Sequence, residues 1–307
     1  MQRRSFLKLV GTTATGALLA GGSAIAYANY IEPGWIEIVQ QSLHLPRLDA
    51  AFGGYRLIQI SDLHADDTWH GSVWIDRTRV AELVQLVNEQ NADAVVITGD
   101  FVTRIKTRTP DTLSPLRELR ARDGVYAILG NHDHWSDPQA VRKLIALYGI
   151  HDLSDTSHTL RRDTAQLHLV GMDDLWPEYG PVAPVWSHQA RLLRILRNVP
   201  AEGAAILLVH EPDFAEVAAA TGRFDLQLSG HTHGGQVQIP FYGALRVPPL
   251  GERYPAGLYQ VRSMHHYTNR GIGMIEPHVR FDCRPEITVF NFLSRSQVPQ
   301  ADQAMIP

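Results

Sequence analysis

Cysteine is nearly missing from this chain. Among 307 residues there is one, Cys283. A disulfide within the chain is therefore excluded, and so is a metal cage built on thiolates. An excess of either charge is missing too. Lys and Arg number 28, Asp and Glu 32, for a formal net charge of −4. No basic patch points to nucleic acid as a partner. Internal repeats, low-complexity tracts and linkers are absent. That leaves one domain, from about residue 50 to 295, as the simplest organisation. Long hydrophobic runs are confined to the N-terminus; elsewhere apolar runs last four to seven residues. What the chain does have is histidine, at 15 residues, and a hydrophobic share of 44%, ample for a core.

The N-terminus, MQRRSFLKLVGTTATGALLAGGSAIAYANY, is laid out as an export signal. Arg3, Arg4 and Lys8 precede an apolar run rich in Gly, Ala and Thr, and Ala26 and Ala28 flank Tyr27 in an A-x-A pattern. Arg3-Arg4 followed by Ser5-Phe6-Leu7-Lys8 resembles a twin-arginine signal, with Gln2 where Ser or Thr is more usual. Residues 1–28 are thus expected to engage the twin-arginine export machinery. The destination is the periplasm or the outer face of the cytoplasmic membrane. Those residues carry three positive charges and no acid, so the remainder stands at −7. The apolar run, about 20 residues, is marginal as a permanent membrane span; it is either cleaved or kept as an anchor.

Beyond it, short apolar runs alternate with helical patterns. Strands are expected at 56–61, 94–98, 125–129, 167–170, 204–209 and 226–228. Helices are expected at 75–88, 113–120, 138–148, 188–197 and 214–220. AVVIT and AILLV lack polar alternation and read as strands buried on both faces, the mark of a layered α/β protein. After about residue 235 the segments VQI, GLYQV, HHYTN and EITVFNF suggest a second, mostly β sheet. Cys283, in a strand-like alternating run, reads as a small core residue.

The chemically unusual residues stand where these strands end. LIQISDLHAD closes on Asp62 and His64, AVVITGD on Asp100, and VYAILGNHDHW on Asn131, His132 and Asp133. AILLVHEPD closes on His210 and LQLSGHTHGG on His231 and His233. Ligands of open α/β sheets bind beyond the carboxyl ends of strands, so these clusters are expected to share one cleft. On extended chain, residues i and i+2 point the same way, which would let Asp62 with His64, and His231 with His233, face that cleft together. The glycines before Asp100, Asn131 and His231 allow tight turns and close backbone approach. Carboxylates, imidazoles and one amide suit Mn, Fe, Zn or Co better than a calcium cage.

This ordered set (D-x-H, GD, GNHD, H, GHxH) resembles the calcineurin-like metallophosphoesterase superfamily over about residues 55–290. The resemblance implies a four-layer α/β/β/α sandwich of two mixed sheets flanked by helices. It implies two divalent metal ions, one held by Asp62, His64 and His233, the other by Asn131, His210 and His231, with Asp100 bridging. It further implies phosphoester hydrolysis by a hydroxide that the two ions share. His132, outside the ligand pattern, would stabilise the developing charge or protonate the leaving oxygen. Asp133 would orient His132 or, alternatively, cap a helix.

GHTHGGQ, NRGIG and PEI in this order resemble a bacterial exported or membrane-associated subgroup. Some of its members are similar to UDP-2,3-diacylglucosamine hydrolase-like phosphodiesterases. The implied substrate is a lipid- or nucleotide-linked phosphoester or pyrophosphate. The alternatives are a phosphomonoesterase of the same fold and a non-catalytic metal-binding protein. Arg270 either contacts substrate phosphate or pairs with an acid of the sheet. Trp176, Tyr179 and Trp186 either cap the cleft or pack their own loop.

Overall fold

The computed structural model describes residues 22–65 and 75–294. The twin-arginine motif and most of the expected signal lie outside them. The strands, in chain order, are β1 Glu37–His44, β2 Tyr55–Ile60, β3 Ala94–Thr98, β4 Val125–Ile128, β5 Ile150–Asp152, β6 Ser157–Arg162 and β7 Ala165–Gly171. There follow β8 Ala204–Leu208, β9 Leu226–Ser229, β10 Gln238–Ile239, β11 Gly243–Ala244, β12 Gly257–Val261, β13 Met264–Thr268 and β14 Glu286–Leu293.

Two six-stranded sheets result. The first runs β1-β14-β2-β3-β4-β5 and the second β12-β13-β9-β8-β7-β6. Both are mixed: β14 lies antiparallel to β2 within an otherwise parallel sheet, and β12 and β6 run antiparallel at the two edges of the second. Every position of β3 and β8 is buried, because each strand has apolar layers on both faces.

Three hydrophobic cores define the layers. Ile58, Val95 and Ile97 pack against Leu83 and Val87 of helix Arg77–Glu89 and Val141 and Ile145 of helix Pro138–Leu147. Leu57, Val96 and Phe290 of the first sheet meet Leu167, Ile206 and Leu228 of the second. On the far side, Leu207 and Val209 meet Leu192 of helix Gln189–Leu196 and Ala218 of helix Ala215–Ala220. The order is helix, sheet, sheet, helix, the expected four-layer α/β sandwich.

Three boundaries differ from the sequence expectation. The fold begins before residue 50: β1 pairs with β14 from Glu37↔Glu286 to His44↔Leu293. The segments after residue 235 do not form a sheet of their own. β12 and β13 extend the second sheet, β14 enters the first, and only β10–β11 stand apart as a hairpin. These partners are distant in sequence, and periodicity carries no information about pairing at that range. Residues 113–120 also differ. The α-helix there is Thr109–Leu113, and Pro115 lies in a tighter 3-10 turn, Ser114–Glu118, that follows it.

Candidate metal centre

The expected site residues meet at the carboxyl ends of β2, β3, β4, β8 and β9, and all seven assigned as ligands are buried. The extended i, i+2 geometry is corrected. Asp62 (φ 52°), His64 (46°), Asp100 (54°), His231 (72°) and His233 (51°) all adopt left-handed backbone. Strands β2, β3 and β9 each end in a sharp turn, and the turn rather than the pleat aims these side chains inward. Asp, Asn and His tolerate this region better than most residues, at a modest energetic cost.

The glycines permit the crowding. A Cβ on Gly130 would come within 2.4 Å of Asp100 Oδ1, and one on Gly230 within 2.3 Å of Asp62 Oδ2. Gly271 and Gly273, from the NRGIG stretch, pack against Asp62 and Leu63 in the same way.

On one side of the centre, His64 Nε2 lies 3.0 Å from His233 Nε2 and 3.3 Å from Asp100 Oδ2, and His233 Nε2 lies 3.6 Å from Asp62 Oδ1. On the other, His210 Nε2 lies 3.2 Å from Asp100 Oδ2, and His231 Nδ1 lies 3.0 Å from Asn131 Oδ1. Asp100 stands between the two halves. The backbone carries part of the load: His231 N donates to both Asp62 oxygens and His132 N to Asp100 Oδ1.

Outer partners fix the rings. His210 Nδ1 donates to Thr98 O (2.7 Å) and His231 Nε2 to Pro249 O (2.9 Å). A carbonyl only accepts, so each ring spends one N–H outward and, when neutral, turns its bare nitrogen toward the centre. His231 Nδ1, an acceptor, therefore faces the acceptor Asn131 Oδ1. At most one proton fits between the two Nε2 atoms of His64 and His233. Converging lone pairs and two buried carboxylates form an environment that a cation satisfies. The donor set fits divalent metal, and three groups drawn from Asp62, His64, Asp100, His132, His210 and His233 bring their ligand atoms within 4.8 Å of one another.

The electrostatics agree. Burial pushes the imidazoles of His231 and His233 down, with His210 and His64 respectively adding to the effect, so both stay neutral. Burial raises the Asp62 carboxyl. It acts on Asp100 as well, but His210 beside it outweighs burial and holds Asp100 well below the usual carboxylate range, while Asp100 in turn pushes the His210 imidazole up; the pair holds a proton that a cation would displace.

His132 sits at the rim, its ring 4.7 Å from that of His64 and 4.9 Å from that of Trp135. Burial lowers its imidazole to about 4. Asp133 is not its orienting partner. Its carboxylate accepts from Gly130 N and Val102 N, both at 3.1 Å, and so caps the first turn of helix Asn131–Ser136. Of the two roles expected for Arg270, substrate contact or pairing with an acid of the sheet, the structure shows the second. Its guanidinium donates to Glu286 (2.5 Å) and Glu37 (2.9 Å) and lines a different crevice. Cys283 is buried as expected, but outside any strand, with its thiol against His233 O (3.2 Å).

A cavity of about 310 Å³ opens over the metal residues. Trp135 and Trp176 form one wall; Val247, Pro248, Ile275 and Pro277 form much of the rest. The loop aromatics do both expected tasks: Trp176 lines the cavity, while Tyr179 stacks on Trp135 at 4.2 Å. Trp186 lies elsewhere and is exposed. Sequence reasoning gave Gln236 no role. Its amide donates to Ile275 O and Pro277 O and accepts from Ile275 N, tying the 275–277 wall to the GHTHGG loop. The motif's terminal glutamine was the available signal.

Paired carboxylates, imidazoles and an amide at the strand ends of a two-sheet sandwich define a metal-dependent phosphoester hydrolase. Residues 55–235 match the calcineurin-like phosphoesterase family, and the chain belongs to it. It is 37% identical to the uncharacterized metallophosphoesterase YkuE of Bacillus subtilis, over 96% of this chain and 98% of that protein. It is 31% identical to phosphodiesterase YaeI of Escherichia coli, over 95% and 100%. Against UDP-2,3-diacylglucosamine pyrophosphatase LpxG of Chlamydia trachomatis, the figures are 26% over 92% and 98%.

Proposed function

We propose that this chain is a two-metal phosphodiesterase whose substrate carries an apolar group, a lipid-linked phosphoester or pyrophosphate first of all. One ion would rest on Asp62, His64 and His233, the other on Asn131, His210 and His231, with Asp100 shared. When bound, the ions supply charge neutralisation for the phosphoryl group and activation of water; manganese, iron and zinc all suit the donors.

The observation that carries the reading is the cavity. Its floor is the metal cluster, its walls are apolar, and Arg246 is the single Lys or Arg in its lining. A monoester dianion gains little from such walls, whereas a diester with an acyl or alkyl arm fills them. His132, at the rim and neutral at neutral pH, can offer its ring N–H to the departing oxygen. The names of YaeI and LpxG, a phosphodiesterase and a lipid pyrophosphatase, support the same direction.

A series of phosphodiesters differing only in acyl length tests the substrate class. KM is expected to fall as the chain lengthens. Equal kcat/KM across the series, or a preference for nucleotide diesters, would overturn the lipid assignment. The aromatic wall of Trp135 and Trp176 favours that second reading, since it offers a base a stacking surface. We place the enzyme outside the cytoplasm on the strength of Arg3-Arg4 and the apolar run. Lys at both arginine positions is expected to leave the chain inside the cell, and unchanged fractionation would refute the route.

A further inference from the structure

Exposed large hydrophobic side chains are concentrated on one part of this molecule. The hairpin β10–β11 and the residues after it present Ile239, Phe241, Tyr242 and Leu245, with Phe241 at its tip fully exposed. The N-terminal segment presents Ile25, Tyr30, Ile31 and Trp35. The two segments meet at one crevice, where Tyr27 and Pro240 lie beside Glu32, Glu37, Asp282, Arg270 and Arg284. Single exposed apolar residues are ordinary, but the hairpin's four within seven residues mark a docking surface.

Three observations say what covers it. The stretch 237–250, VQIPFYGALRVPPL, contains no acid and one base, Arg246. The sequence immediately before residue 22 is the apolar run of the N-terminus. And the expected cleavage pattern Ala26-Tyr27-Ala28 is helical and docked: Ala28 is buried, its carbonyl accepts from Arg280 N, and Tyr27 meets Phe281 edge-on at 6.5 Å. A peptidase needs extended, accessible chain, so this arrangement disfavours cleavage there.

We propose that the hairpin tip inserts into the surface of an anionic lipid bilayer and so seats the metal cavity over the headgroups. Tyr and Trp flanking aliphatic side chains suit the interface. The hairpin is mounted on the catalytic loop itself. Leu245 N donates to Val237 O, and Ala244 lies so close to Gly235 that a Cβ there would meet it at 2.5 Å. Arg246, Val247 and Pro248, continuing from the hairpin, form cavity wall. A headgroup reached by Phe241 is thus next to the cavity mouth. The inference rests on the lipid reading above and adds the surface that delivers the substrate.

The test uses the full chain with Phe241→Cys, labelled with a polarity-sensitive dye; Cys283 is buried and spared. In phosphatidylglycerol–phosphatidylethanolamine vesicles, the label is expected to shift to the blue and to be quenched by lipid-borne quenchers. A label at Leu147→Cys, on an outer helix, is expected to stay in water. A label at position 241 that remains in water on vesicle-bound protein overturns the proposal. So does a shift without vesicles that grows with protein concentration, since a second copy of the chain is then the occupant. In parallel, Phe241→Ser with Tyr242→Ser is expected to slow turnover of a vesicle-embedded diester about tenfold or more, with hydrolysis of a soluble diester unchanged. Equal loss on both substrates contradicts docking. Insertion of the label with no cleavage of any lipid phosphoester leaves docking standing and removes the lipid reading of the function.

Discussion

His132 and Asp133 are neighbours with opposite tasks. The His132 ring reaches the rim of the metal cluster, and only its backbone N–H, to Asp100 Oδ1, holds the site together. His132→Ala is expected to keep metal, measured by elemental analysis, and to lose turnover by about 10²–10⁴-fold. Loss of metal instead would make the ring a ligand. Asp133 has both oxygens committed to buried backbone donors. Asp133→Ala is expected to lower unfolding free energy by about 1–3 kcal/mol for each donor left unpaired. A shifted pH–rate profile with unchanged stability would contradict the capping role. The sequence displays these residues only as a string, NHDH. Which imidazole ligates and which acid caps depends on the left-handed turns at Asp62, Asp100 and His231, which no spacing rule announces.

The strands carry the account at the scale of elements. The apolar runs at 94–98 and 204–208 were legible because burial on both faces removes polar alternation. The ligands were legible because each closes such a run. β1 and the β10–β11 hairpin were not. Five of the eight positions of β1 are only partly buried and two are exposed, and its partner β14 stands about 250 residues away. Strand β13 holds a test of the second sheet. His266 is fully buried there, with Tyr254 at 5.1 Å and Tyr259 at 6.0 Å, and burial pushes its imidazole down to about 3. The folded value lies below the ordinary 6.5, so the unfolded chain takes up a proton that the folded chain refuses. Stability from this residue is complete above pH 6.5 and is lost as pH falls from 6.5 toward 3, by up to about 1.4 kcal/mol per pH unit. Urea midpoints at pH 7, 5.5 and 4 are expected to fall less steeply in His266→Phe than in the parent. Parallel slopes would show that His266 is not held neutral.

At the scale of the molecule, two sheets meet face to face and bring the ends of five strands to one edge. That edge collects the metal residues, the apolar cavity and the exposed hairpin on one side of the fold. Among the described residues no helix is long and apolar enough to cross a membrane. The order of motifs was enough to foresee the layers. The joining of late strands to both sheets was not, because it is settled by packing between Phe290, Tyr267 and Leu228 rather than by any local pattern.

The central claim is that the strand-end cluster is a metal centre for phosphodiesters. Its most direct test is hydrolysis of bis-p-nitrophenyl phosphate beside p-nitrophenyl phosphate, after chelation and again after Mn²⁺ or Zn²⁺ is restored. Loss of activity on chelation, recovery with metal, and a higher kcat/KM for the diester are expected. Activity that survives complete removal of metal, or a clear preference for the monoester, would contradict that claim.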